Sequence, residues 1–205
     1  MAKIKVKRTS TSIDMTAMCD VSFLLLTFFI LTATARQPEP LPVDMPASTV
    51  QVKVPDTELG TVTVGDGGKI FFGVTGPDVR VNMLNRVAEK YGMTFTEDEV
   101  RRFSLIDGFG VPLSQLKSLI SMDNNQRLSS GVQQGIPADS TDNQLKEWIL
   151  AARMATAEET DKQMRVAIKG DADEEYPAIK KVIDILQEQK LNKFSLITNL
   201  RTSEY

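Results

Sequence analysis

Asp20 stands at the shoulder of the most apolar run in the chain. Residues 13–35 read IDMTAMCDVSFLLLTFFILTATA, and 21–31 carry no charge at all. An acid inside a membrane-crossing helix costs roughly 2.5–3.5 kcal/mol on insertion scales. It is therefore rare and functional by default, and it faces a bundle interior or an aqueous path instead of lipid. The chemistry such a carboxylate offers is the uptake and release of a proton. Seven-residue spacing puts Thr27 and Thr34 on nearly the same helical face as Asp20, and Thr16 lies one turn before it. A polar stripe of Thr16, Asp20, Thr27 and Thr34 on a greasy helix suits packing against other membrane helices and lining a proton path. Threonine hydroxyls alone mean little, because they often bond their own helix backbone. The stripe takes its meaning from Asp20.

Other chemistry is thinly represented. There are no histidines, which removes Ser-His and Cys-His mechanisms and the commonest zinc ligand. Cys19 is the single cysteine, lies in the apolar stretch and reads as a small membrane-embedded residue; no disulfide can form within one chain. Ser114 to Lys117 matches S-x-x-K, but the accompanying K-T-G is absent and the segment reads as an amphipathic helix. The acidic group Asp171, Asp173, Glu174 and Glu175 lacks the EF-hand pattern and precedes a helix, where negative charge is favourable. Gly65-Asp66-Gly67-Gly68 lacks Walker spacing and reads as a turn. No enzyme activity, metal or cofactor is expected.

Charge orients the chain. Lys3, Lys5, Lys7 and Arg8 stand in residues 1–12 without an acid, so the net charge of −3 divides into +4 there and −7 in the remainder. Lys and Arg stay on the cytoplasmic side. The expected topology is a cytoplasmic N-terminus, one span, and the bulk of the chain on the opposite face. The acidity of that bulk argues against nucleic acid as a partner. A stretch over 13–35 is about 34 Å long as a helix, enough for a bilayer core of about 30 Å. A cleaved signal peptide is the competing reading, since Ala33-Thr34-Ala35 has the A-x-A form. The roughly 20 residues before the apolar run, with Asp14 and Asp20 among them, favour an uncleaved anchor.

The elements beyond the span must hold whatever the helix drives. Residues 36–48 are Pro-rich and read as an extended linker. From 49 to 205 the chain reads as an α+β domain with helices packed on a small mixed sheet. Alternation predicts a strand over 49–54 (TVQVKV) and a hairpin over 61–64 and 69–72. A helix over 77–91 is stopped by Gly92, and Thr96-Glu97-Asp98-Glu99 is a capping box opening a second helix. Leu113, Leu116, Leu119 and Ile120 repeat at helical spacing. A polar loop follows over 123–137. Thr141-x-x-Gln144 is expected to cap a helix carrying Leu145, Trp148, Ile149 and Ala152 on one side, with Trp148 as a core anchor. A strand over 163–168, a helix from Pro177 with Ile179, Val182, Ile183 and Leu186 on one face, and a strand over 193–198 form a β-α-β unit with parallel strands.

Residues 13–31 resemble the membrane helix of the ExbD/TolR family, in which I-N-x-T-P-x-x-D-V precedes a run of Leu, Ile and Phe. Thr16, Asp20 and Val21 fall on matching positions, and Asp20 takes the place of the family's proton-carrying aspartate. Ala17 stands where proline is usual and Asp14 where asparagine is usual, departures that bear on a local kink near the helix start and not on the carboxylate. Met45-Pro46-Ala47-Ser48 resembles the L-P-x-A/S segment, Ile70-Phe71-Phe72-Gly73 the end of the first hairpin, and 164–172 with Tyr176 the strand followed by D-x-x-x-x-Y. The resemblance covers roughly 1–80 and 160–200, and 83–158 looks like an insertion relative to shorter members. It implies a proton-driven subunit of the inner membrane with a periplasmic domain. The implied partners are a multi-span ExbB-like protein, several copies of which (a pentamer) surround a dimer of this helix, and a TonB-like relay protein. A partner strand would pair along Ser48, Val50, Val52 and Val54. A TolR-like envelope motor, and a plain membrane-anchored binding domain with Asp20 serving only helix association, are the alternatives.

Overall fold

Eighteen consecutive residues without glycine, proline or any charge besides Asp20 form α1, Met15–Thr32. The computed structural model describes residues 15–33, 39–48, 57–129, 131–139, 142–172 and 174–200. These divide between two compact units, one within 1–37 and one within 38–205. α1 belongs to the first. Among the described residues it is the helix long and apolar enough to cross a membrane.

The second unit is built on a mixed sheet. β2 (Leu59–Gly65) and β3 (Lys69–Val74) make the antiparallel hairpin that alternation predicts. Its turn needs three successive left-handed residues, Asp66, Gly67 and Gly68, with φ of 52°, 76° and 88°; Asp and Gly tolerate that region at low cost. β4 (Arg165–Gly170) and β5 (Phe194–Ile197) flank α7 (Tyr176–Glu188). β4 pairs parallel with both β2 and β5, giving the order β3-β2-β4-β5 and the expected β-α-β crossover. β4 begins two residues later than the alternation suggests, because Glu58 and Leu59 are the first to meet it: the Arg165 N–H donates to the Glu58 carbonyl at 2.8 Å.

Helices cover one face of this sheet. α2 (Pro77–Tyr91) packs on α6 (Gln144–Thr160), and α3 (Glu97–Ser104) and α4 (Leu116–Ser121, preceded by a 3-10 turn at Leu113–Gln115) close around them. Val62, Val64, Ile70, Phe72, Val74, Val166 and Ile168 supply the sheet side of the core. Phe103, Phe109 and Trp148 form its aromatic centre, with Trp148 centroids 6.1 Å from Phe103 and 4.7 Å from Phe109. The segment 83–158 thus carries much of the same core as the flanking strands and is not an appendage to it.

Two local expectations are corrected. The polar loop over 123–137 contains a short helix, α5 (Asn124–Arg127), because Asp123 and Gln126 form a reciprocal capping box. α6 is capped by Asn143 and not by Thr141, which lies outside the described residues. The Asn143 carboxamide accepts from the Lys146 N–H at 3.0 Å. Gln144 turns inward, and its side-chain oxygen accepts from the Leu113 N–H at 2.8 Å.

The capping box of α3 forms as read. The Thr96 hydroxyl accepts from the Glu99 N–H at 3.3 Å, and the Glu99 carboxylate accepts from the Thr96 N–H at 2.8 Å. That backbone bond holds the Glu99 carboxyl below its ordinary 4.5. Thr96→Ala is expected to cost about 1 kcal/mol, read as a lower urea midpoint with an unchanged slope. A depressed carboxylate contributes stability above its unfolded pKa and loses it as pH falls through the folded one. The wild-type advantage over Glu99→Gln, which cannot ionise, should therefore narrow as pH falls below about 4.5.

Residues 39–48, read as the end of a linker, lie along the domain. The Lys169 ammonium pairs with the Glu39 carboxylate. The Ala172 N–H donates to the Asp44 carbonyl at 2.7 Å. β1 (Ala47–Ser48) pairs parallel with β6 (Asn199–Leu200). The strand expected over 49–54 falls outside the described residues.

Candidate functional site

Asp20 occupies the second turn of α1, where a helix of Leu, Phe and Ile without helix breakers holds it in register with Thr16 and Thr27. The three share one face; Thr34 lies outside the described residues. Three hydroxyls on α1 are turned back on their own helix. Thr27 Oγ1 donates to the Leu24 carbonyl at 2.9 Å, Ser22 Oγ to Met18 at 2.8 Å, and Thr32 Oγ1 to Phe28 at 2.8 Å. That is the arrangement a hydrocarbon surrounding demands, since an unpaired hydroxyl is costly there. The Asp20 carboxylate is different in kind. Among the described residues no hydrogen bond or ion pair engages it, and no helix covers it. As the anion it is costly against lipid and favoured beside water or donor groups; as the acid it tolerates an apolar wall.

That surrounding must come from elsewhere. Val21, Phe23, Leu24, Leu25, Leu26, Phe28, Phe29, Ile30 and Leu31 are all more than half exposed in this chain. An apolar cylinder of that length is stable only against lipid or other helices. One helix cannot by itself enclose an aqueous path.

The remaining candidates are dispersed. Ser48 sits in β1, while Val50, Val52 and Val54 lie outside the described residues. Ser114 is exposed in the 3-10 turn, and Lys117 stands over the Phe95 ring at 5.4 Å. Asp171 and Glu174 shape the turn into α7, where the Glu174 N–H donates to the Asp171 carbonyl at 3.3 Å; Asp173 lies outside the described residues. Among the described residues no group of His, Cys, Asp or Glu is placed to hold a metal ion. Of the sheet's two edges, β3 is covered. Phe72 and Phe109 exchange backbone hydrogen bonds at 2.9 Å, and the Ile136 N–H donates to the Ile70 carbonyl at 2.8 Å.

Sequence reasoning missed the seat that receives residues 39–44. Lys169 is nine-tenths buried on the sheet face opposite the helices. In one dimension it looks like the solvent-side position of an alternating strand, and no pattern links it to an acid some 130 residues earlier.

The model of one protein family, described as Biopolymer transport protein ExbD/TolR, matches residues 6–200. No curated protein and no solved structure matches the chain.

Proposed function

The chain belongs to the ExbD/TolR family of biopolymer transport proteins, and from that membership we propose that it is the proton-harvesting subunit of an ExbB–ExbD-type motor, with Asp20 as the proton carrier. Members of the family are non-enzymatic, inner-membrane-anchored subunits that energise transport with multi-span partners of the ExbB or TolQ type. The observation that carries the reading is a lone carboxylate on an otherwise apolar span, and the motif around it resembles the family's acid-bearing one. The basic residues 1–12 favour a cytoplasmic N-terminus, which puts the α+β domain in the periplasm.

The physical cycle follows from the carboxylate. Deprotonated, Asp20 favours a helix orientation that turns it to water or to donors on the partner; protonated, it favours the apolar wall. Each proton that crosses delivers about 2.3 kcal/mol per 100 mV of membrane potential. Steps of that size do work only when repeated, which suits a cyclic device in which a ring of partner helices surrounds a dimer of α1. The segment 45–54, with Ser48, Val50, Val52 and Val54 on alternating positions, is suited to pairing edge-on with a strand of a periplasmic relay protein.

The test is purification of the native complex under mild detergent with identification of its members. A multi-span ExbB-like protein together with a TonB-like relay is the expected result. A TolA-like relay in its place would assign the subunit to an envelope motor of the TolR branch. Recovery of α1 without any multi-span companion would overturn the motor reading.

A further inference from the structure

We propose that residues 39–48 are a releasable strap, latched to the helix-free face of the sheet by the Glu39–Lys169 pair, whose release lengthens the tether between membrane helix and domain. The inference rests on the reading of α1 as a membrane anchor.

Three independent features make the strap a built contact. Lys169 has only 10% of its side chain exposed, whereas Glu39 has 59%. Its neighbours across the two ladders are Thr63 and Ile197, and neither supplies negative charge. Without Glu39 the ammonium is a buried cation with no countercharge from its strand neighbours, a strongly unfavourable state. The second feature is a glycine seat. A Cβ at Gly65 would stand 2.8 Å from Val43 Cγ1 and 3.2 Å from Leu41 Cδ2, and one at Gly108 would stand 3.2 Å from Pro40 Cγ. The backbone is bared where the strap crosses it. The third is backbone pairing, from Ala172 to Asp44 and through the two residue pairs of β1 and β6. A spacer that merely hung between anchor and domain would need none of these.

The same features make the strap detachable. Pro40, Pro42 and Pro46 lack N–H donors, so the segment cannot zip into a continuous ladder. Every strap side chain described remains half-buried or exposed, and so its attachment lies at the low end of local opening energies. Proline also keeps the released chain extended at about 3.1 Å per residue, so freeing about ten residues adds roughly 30 Å of reach. The docked form is a short tether with its charge latch closed.

Two variants of the full chain in its native complex test this. In Glu39→Gln, hydrogen exchange at the Ala172 amide, which reports the Asp44 contact, should quicken roughly tenfold, while amides of β2 and β4 keep their wild-type rates. An unchanged Ala172 rate would overturn the latch. The second variant pins the strap, joining Val43→Cys to Gly65→Cys in a Cys19→Ser background. Oxidation should stop energised transport without loss of partner association, and a reductant should restore it. Full transport by the oxidised form would show that release is not needed. The exchange measurement requires no transport. A failed strap therefore leaves Ala172 protected, whereas a failed motor assignment leaves the Cys19→Ser parent inert in either redox state.

Discussion

Asp20→Asn is expected to reduce energised transport to the level of a strain lacking the subunit, with membrane insertion and partner association intact. Asparagine keeps the size and hydrogen-bonding capacity of the side chain and removes only its ability to ionise. Insertion should if anything improve, since the acid itself opposes it by roughly 2.5–3.5 kcal/mol. Helix association through a polar contact should survive, because an amide bonds across helices as well as a carboxyl does. What is lost is the alternation between a form that seeks water and a form that tolerates an apolar wall, and with it the 2.3 kcal/mol or so that each proton delivers per 100 mV. Thr27→Val serves as the control within the stripe. Its hydroxyl already donates to Leu24 in its own helix, so transport should stay within about twofold of wild type. Uptake of a labelled substrate into energised cells, alongside co-purification of the multi-span partner, reads both variants. Full uptake by Asp20→Asn would leave α1 as an anchor with a helix-pairing contact, which is the binding-domain alternative.

The span and the C-terminal β-α-β unit were legible in the sequence because each rests on one strong local regularity. α1 is an uninterrupted apolar run, and α7 repeats Ile179, Val182, Ile183 and Leu186 at helical spacing between two alternating strands. The capping box at Thr96 and the Gly92 stop of α2 were legible for the same reason, since each satisfies terminal backbone groups with residues a few positions away. Sequence alone does not separate Thr141 from Asn143 as the cap of α6, because both are good cap residues, and tertiary demand decides for Asn143. Gln144 is drawn inward to satisfy the buried Leu113 N–H, which fixes where the helix can begin. The strap was invisible for a different reason. Pro-rich composition reports extension and says nothing about what the extended chain lies against. The partners of Glu39, Leu41 and Val43 are Lys169 and Gly65, separated from them by most of the domain in one case and by a hairpin strand in the other. Family resemblance read from motifs reached only the two ends, and the family match spans residues 6–200. Residues 83–158 and the strands on either side of them share one core, a tertiary fact that motif matching does not carry.

That shared core sets the second large effect: Trp148→Ala is expected to destabilise the domain by about 3–5 kcal/mol. Trp148 is 1% exposed and lies on α6 against both the Phe103 and Phe109 rings, which also touch each other. Those rings in turn reach the sheet, since Phe109 is bonded through its backbone to Phe72 of β3. Truncation would leave a void at the junction of α3, α6 and the sheet edge, bounded by side chains that already fill their own positions and cannot collapse into it. Against a total stability of about 5–15 kcal/mol for a typical domain, such a loss consumes a large share, and urea unfolding should show a sharply lower midpoint. Trp148→Phe separates packing from hydrogen bonding. The indole N–H has no partner among the described residues, so phenylalanine forfeits volume and no polar contact, and should cost under half as much as alanine. If 83–158 were instead an appendage on an independent sheet, Trp148→Ala would leave exchange protection in β2 and β4 untouched. Loss of protection there together with α6, in one cooperative transition, is the outcome that a single core requires.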